Sequence, residues 1–140
     1  MNQQERSIAG LIHLSIILPL WGPIIALIVW LNNRNKYKSV AFHSLQSLFY
    51  QLSVYGILVI GGLFHLILKF LQWIKFPLAD MFVSINVYLL LFVYFIALLY
   101  AIYGCFTVIS GQDFNYFVIG KKLKDSEKDI DEDFFDKEGE

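Results

Sequence analysis

The sequence predicts an all-α fold: a polytopic bundle of membrane helices with a broken first segment, two short helices, followed by two long transmembrane helices. Three observations predict it. Of the 140 residues, 57% are hydrophobic, more than the interior of one soluble domain of this length accommodates. No Asp, Glu, Lys or Arg occurs from Ser7 to Asn33, from Ser39 to Leu68 or from Met81 to Gln112, runs of 27, 30 and 32 residues. About 20 residues suffice to cross a bilayer core as a helix. The remaining charge is divided, with a net +6 over residues 1–124 and −7 over residues 125–140. A basic membrane domain (1–124) is thus followed by an acidic tail (125–140).

Segment A, Ile8 to Leu31, is interrupted by Pro19, Gly22 and Pro23 around Trp21. A proline inside a helix removes one backbone hydrogen bond and clashes with the preceding turn. LPLWGP therefore either kinks a single span or turns between two short helices. Each half would hold about 14 residues, roughly 21 Å, which is short for a span and needs cover from neighbouring helices. The run continues past any signal-peptide core and no small-x-small cleavage site follows it, so a cleaved leader is not expected.

Segment B runs from Ser39 to about Leu71. As one helix its 33 residues would extend about 50 Å, beyond a hydrocarbon core of roughly 30 Å, so one end lies in the headgroup zone. At helical spacing Ser39, His43, Gln46, Ser47, Tyr50 and Gln51 share one arc, and Ala41, Phe42, Leu45, Leu48, Phe49 and Leu52 occupy the opposite one. Beyond Gln51 the segment is mostly apolar on every side. Its start is an amphipathic ramp that feeds a true span.

Segment C, Met81 to about Ser110, repeats small residues every four positions, Ala97, Ala101 and Cys105, with Gly104 alongside. Such spacing lets another helix approach closely where no hydrophobic force drives association. Gly56, Gly61 and Gly62 on segment B offer a matching surface. The pattern predicts either B–C packing within the chain or an interface with another copy or a partner.

Basic residues set the orientation. Arg34, Lys36 and Lys38 follow segment A and Lys121, Lys122 and Lys124 follow segment C, whereas Lys69 and Lys75, offset by Asp80, lie between B and C. The positive-inside rule places the A–B loop and the C-terminus in the cytoplasm, with the chain a multi-pass protein of the cell (plasma) membrane. Trp21, Trp30, Trp73 and Tyr37 fall near run ends, as interfacial anchors do.

Strongly polar groups at membrane depth need partners. His43, Gln46, Tyr50 and Gln51, with His13, are read as interhelical contacts that tie segment A to segment B, or as the wall of a polar groove for a peptide or partner helix. His43 and His65 lie about 33 Å apart on one helix, and haem or zinc needs a full, oriented ligand set, so no metal and no cofactor is expected. One cysteine excludes an internal disulfide and a one-chain thiolate zinc site. Cys105 lies in an apolar span, away from groups that generate a thiolate, and no carboxylate occurs within the runs. The chain is not expected to be an enzyme. The tail, DSEKDIDEDFFDKEGE, has the composition of disorder, with Phe134-Phe135 as a candidate docking motif or the acids as a shield for the Lys121–Lys124 cluster.

Several stretches together resemble a family. Glu5-Arg6, His13-Leu14, the Pro-Ile-Ile…Ile-Val-Trp-Leu stretch and the basic loop precede Phe42-His43-x-x-Gln46-x-x-x-x-Gln51. Gly111-Gln112-Asp113-Phe114-Asn115-Tyr116 and Ile119-Gly120-Lys121 close the pattern. Over about residues 5–123 the chain resembles bacterial and archaeal small membrane proteins similar to the Tic-twenty subunit of the chloroplast inner-envelope protein translocon. Phe117 stands where that family usually has proline. The resemblance implies four helical segments with both termini on one side and, in the plastid relatives, a role in protein import.

The reading is a non-enzymatic membrane protein, an accessory or assembly subunit that binds other membrane components. The alternatives are a translocation or transport element with the segment-B polar face lining its path, and an immunity or stress-protection protein. The partners expected are the lipid bilayer and a membrane protein or further copies of the chain, with no nucleic acid and no small-molecule substrate.

Overall fold

Segment A doubles back on itself. In the computed structural model, which describes residues 1–123 and 125, the element order is α1 (Gln3–Leu14), a 3-10 turn (Ser15–Ile17), α2 (Trp21–Asn33), α3 (Lys38–Trp73) and α4 (Ala79–Ile109). The described residues form no strand. Lys124 and residues 126–140 lie outside the described residues, and with them the expectations for the acidic tail and its Phe134-Phe135 pair.

Local chemistry explains each boundary. The Asn2 side chain caps α1 by accepting from the Glu5 N–H at 2.8 Å, satisfying one of the orphan donors of a first turn. Leu18 precedes Pro19 and is extended (ψ 92°), as the proline ring demands. Leu20 then takes φ 69° to reverse the chain. Pro23 falls in the first turn of α2, where its missing N–H costs nothing. One proline ends the first helix and the other is tolerated by the second.

The expected ramp and span of segment B are a single uninterrupted helix, α3, of 36 residues, and α4 has 31. Both are long and apolar enough to cross a membrane, and α2 is a shorter apolar helix. At the end of α4, Gly111 (φ 84°) donates to the Val108 carbonyl and Gln112 to that of Thr107. This is a Schellman cap, with glycine at the position needing a left-handed backbone. It sends residues 112–116 back along the bundle without regular secondary structure before a helical turn begins at 119.

The hairpin reaches only part of the way along the long pair. Ile16, next to the break, packs with Val54, Ala97 and Ala101, near the middle of α3. Below that level four helices meet, around Ala9, Ile12, Ala26, Val40, Val108, Phe114 and Tyr116. Above it α3 and α4 run as a pair, with Leu68, Ala79, Val83 and Asn86 their buried residues. The start of α1 and the end of α4 lie together, since Arg6 packs its guanidinium over Gly111.

Candidate functional site

The four-helix end has a polar interior. His13, Ser44, Gln46, Ser47 and Gln51 are fully buried and His43 is 5% exposed. Ser15 and Tyr116 are buried beside them. The outer surface of the same end is apolar: Leu11 is 59% exposed, Leu20 81% and Trp21 65%. A water-soluble protein distributes these residue types the other way round.

The break between α1 and α2 explains where the polar groups go. A helix end leaves carbonyls without intrahelical donors, and a bilayer offers no water to satisfy them. Here hydroxyls from the turn itself and from the long helices supply the donors. Ser15 Oγ and Ser47 Oγ both donate to the Ile12 carbonyl, at 2.7 and 3.0 Å. The Tyr55 and Tyr94 hydroxyls, from α3 and α4, both donate to the Ile16 carbonyl at 3.2 Å. Ser15 Oγ also lies 3.3 Å from the Gly22 carbonyl. Gln51 Nε2 donates to both Ser15 Oγ and Ser47 Oγ at 2.8 Å, so one amide holds the turn and the helix beneath it in a fixed register. Gly22 makes the approach possible, because a Cβ there would collide with Gln51 Oε1 and the Ser15 carbonyl oxygen.

A second set of contacts fastens the irregular segment after α4. Gln46 accepts from the Tyr116 backbone N–H at 3.0 Å and donates to Asn115 Oδ1 at 3.2 Å. The Tyr116 ring stacks on Tyr50, with centroids 4.0 Å apart, and the Tyr50 hydroxyl donates to the Ala97 carbonyl. The Tyr116 hydroxyl is 3.0 Å from His13 Nδ1, and His13 Nε2 is 3.4 Å from His43 Nδ1. The donor in each of these two contacts is set by the imidazole tautomers.

His13, His43, Gln46, Tyr50 and Gln51 are thus brought together in one joint, covered by the chain's own α1, α2 and residues 114–116. His43 also lines a polar pocket of about 260 Å³ at the outer end with Met1, Arg6, Ser39, Gln112 and Asp113. His65 lies far along α3 and does not take part. Groups of three or more His, Cys, Asp or Glu side chains suited to a metal do not occur among the described residues.

The small residues are distributed differently from the expected B–C seam. Ala97 and Ala101 receive Ile16 at the break, Gly104 receives the Phe114 ring, and the Cys105 carbonyl lies against Gly10 of α1. Gly56 and Gly62 face open space, whereas Gly61 receives Leu90 and its carbonyl accepts from Asn86 Nδ2. The α4 stripe makes room for the short first helix and the returning chain rather than for glycines of α3. Arg34 lies over the Trp30 ring, and Lys36, Lys38, Lys121 and Lys122 are exposed at the four-helix end. Sequence reasoning missed Ser15, Asn115 and Tyr116 as members of the joint, and Gly10 and Phe114 as its packing.

Closed by a broken helical pair around a polar interior, the described fold is all-helical, with two helices long and apolar enough to cross a membrane. Comparison with known proteins then gives its family. Residues 4–123 match the magnetosome magnetite crystal formation protein family, and the chain belongs to it. Neither the curated proteins nor the solved structures contain a match. The family finding corrects the Tic-twenty-like resemblance, and the import role implied by it falls as well. The residues that suggested it, His13, His43, Gln46, Gln51 and the Gly111–Tyr116 stretch, all build the joint and its cap. They specify how a helical hairpin is fastened, and a fastening does not specify a task.

Proposed function

We propose that the chain is a non-enzymatic integral membrane protein that acts in magnetite crystal formation as an accessory or assembly component of the magnetosome membrane. One observation carries the reading: the matched segment, 4–123, includes the break, the polar joint and both long helices, so the family relation covers the helical body and not a detachable part. The distribution of side chains supports the membrane half, because the exposed apolar residues and buried glutamines suit lipid as the surrounding solvent. The basic residues at the four-helix end favour a cytoplasmic position for it.

Two measurements test this. The full chain should remain in the pellet after alkaline carbonate extraction of membranes from a magnetite-forming host and be released by detergent. Deleting the coding sequence in such a host should change magnetite crystal size or shape by electron microscopy, with recovery on re-expression. Unchanged crystals in the deletion strain would remove the proposed role.

A further inference from the structure

We propose that the chain is a one-leaflet wedge: it favours, and helps to hold, membrane curved convexly toward the side of its four-helix end. This rests on the membrane reading above. The argument starts from lengths. Helices α1 and α2 have 12 and 13 residues, about 18–20 Å each, against a hydrocarbon core of roughly 30 Å. With 36 and 31 residues, α3 and α4 extend about 54 and 46 Å, enough to cross with tilt.

The hairpin therefore enters from one face and turns inside. Its turn carries no charge and presents Leu18, Leu20 and Trp21 outward, 49%, 81% and 65% exposed. Both Tyr55 of α3 and Tyr94 of α4 reach it near the middle of the long pair. The turn is pinned at that depth by the Ser15, Ser47 and Gln51 bonds and by the close fit at Gly22, so it is a fixed volume and not a mobile loop.

The consequence is a difference in cross-section between leaflets. With helices about 10 Å across, four displace roughly twice the area that two displace. Lipid must fill the difference in the leaflet that holds the α3–α4 pair alone. A leaflet crowded by protein expands relative to its partner, and the membrane relaxes by bending away from the narrow side. Arg34, Lys36, Lys38, Lys121 and Lys122 mark the broad end, which the positive-inside rule assigns to the cytoplasm. The favoured membrane is convex toward the cytoplasm.

The test uses the full chain, labelled at its N-terminus, in giant vesicles of phosphatidylcholine and phosphatidylglycerol from which outward membrane tubes are drawn. A membrane-impermeant quencher separates molecules with the broad end outside from those with it inside. Molecules facing outward should be severalfold denser in the tube than in the parent vesicle, and those facing inward depleted. Equal density for the two orientations, or enrichment of the inward one, overturns the wedge. Failure of the protein to float with the vesicles in a density gradient overturns the membrane reading instead, and separates the two failures.

Discussion

The two ends of the molecule solve the same problem by opposite means. At the four-helix end, short helices meet through buried serines, glutamines, histidines and tyrosines. At the two-helix end, α3 and α4 are joined by Asn86 Nδ2 donating to the Gly61 carbonyl and, at the exposed tip, by Gln72 Nε2 donating to Asp80, and leave Ile60, Leu63 and Phe92 largely exposed. Lipid tails are as apolar as leucine, so burial between helices yields little in a bilayer. A long continuous helix needs little help, because its backbone bonds are internal. A broken pair exposes helix ends at depth and must have them satisfied by other elements. Polarity is concentrated where the backbone is interrupted.

The sharpest way to break this comparison is to enlarge one glycine at each end. Gly22→Leu drives a side chain into Gln51 and the Ser15 carbonyl and should cost about 3 kcal/mol or more, the scale of severe overpacking. At Gly62 no heavy atom lies within 4 Å of a Cβ, so Gly62→Leu should be neutral or stabilise by roughly 0.5 kcal/mol through helix propensity. Unfolding in mixed micelles, followed by circular dichroism, reads both. Equal losses would mean that the hairpin turn is not pinned.

Removing single polar groups should have a smaller effect. Gln51→Leu removes the amide donor shared by the Ser15 and Ser47 hydroxyls, which keep their bonds to the Ile12 carbonyl, and Gln46→Leu strands the Tyr116 N–H. Each should cost about 1–2 kcal/mol in the same assay, the scale of an unmade buried bond moderated by a membrane reference state. Asn86→Leu, at the other end, should cost roughly 0.5 kcal/mol. Gln46→Leu has a separate signature: freeing residues 114–116 should raise the maleimide labelling rate of Cys105, which is 3% exposed next to the segment that Gln46 holds. Unchanged labelling would show that the returning chain is held by other contacts.

Much of this contrast was legible in the residues. Two prolines four residues apart around Trp21 announced an interruption, and the arc of His43, Gln46, Ser47 and Gln51 announced a face requiring partners, because the one signal is local and the other periodic. The partners were not legible. Tyr116 meets His13 across 103 residues of sequence and Gln46 across 70, and it sits in irregular chain, where neither helical nor strand periodicity marks an inward side. The same limit misdirected the small residues. Ala97, Ala101 and Gly104 announced a close approach, but spacing cannot tell whether a helix, a broken turn or a phenylalanine ring makes it. The family was hidden for a related reason: a pattern of packing residues reports a joint, and unrelated tasks can share one.

The smallest expected effect is the most informative about the narrow end. Leu63, 59% exposed on α3, has its side chain outside the α3–α4 contact. Where detergent or lipid surrounds it, trimming to alanine exchanges one apolar contact for another, and Leu63→Ala should change stability by no more than about 0.5 kcal/mol. Ile16→Ala, at the fully buried level of the hairpin turn, removes contacts with Val54, Ala97 and Ala101 that nothing replaces, and should cost about 2 kcal/mol. A loss at Leu63 as large as that at Ile16 would mean that another helix, from a second copy or a partner, covers the narrow end. The two ends would then have similar cross-sections within the assembly, and the asymmetry between them would belong to the single chain alone.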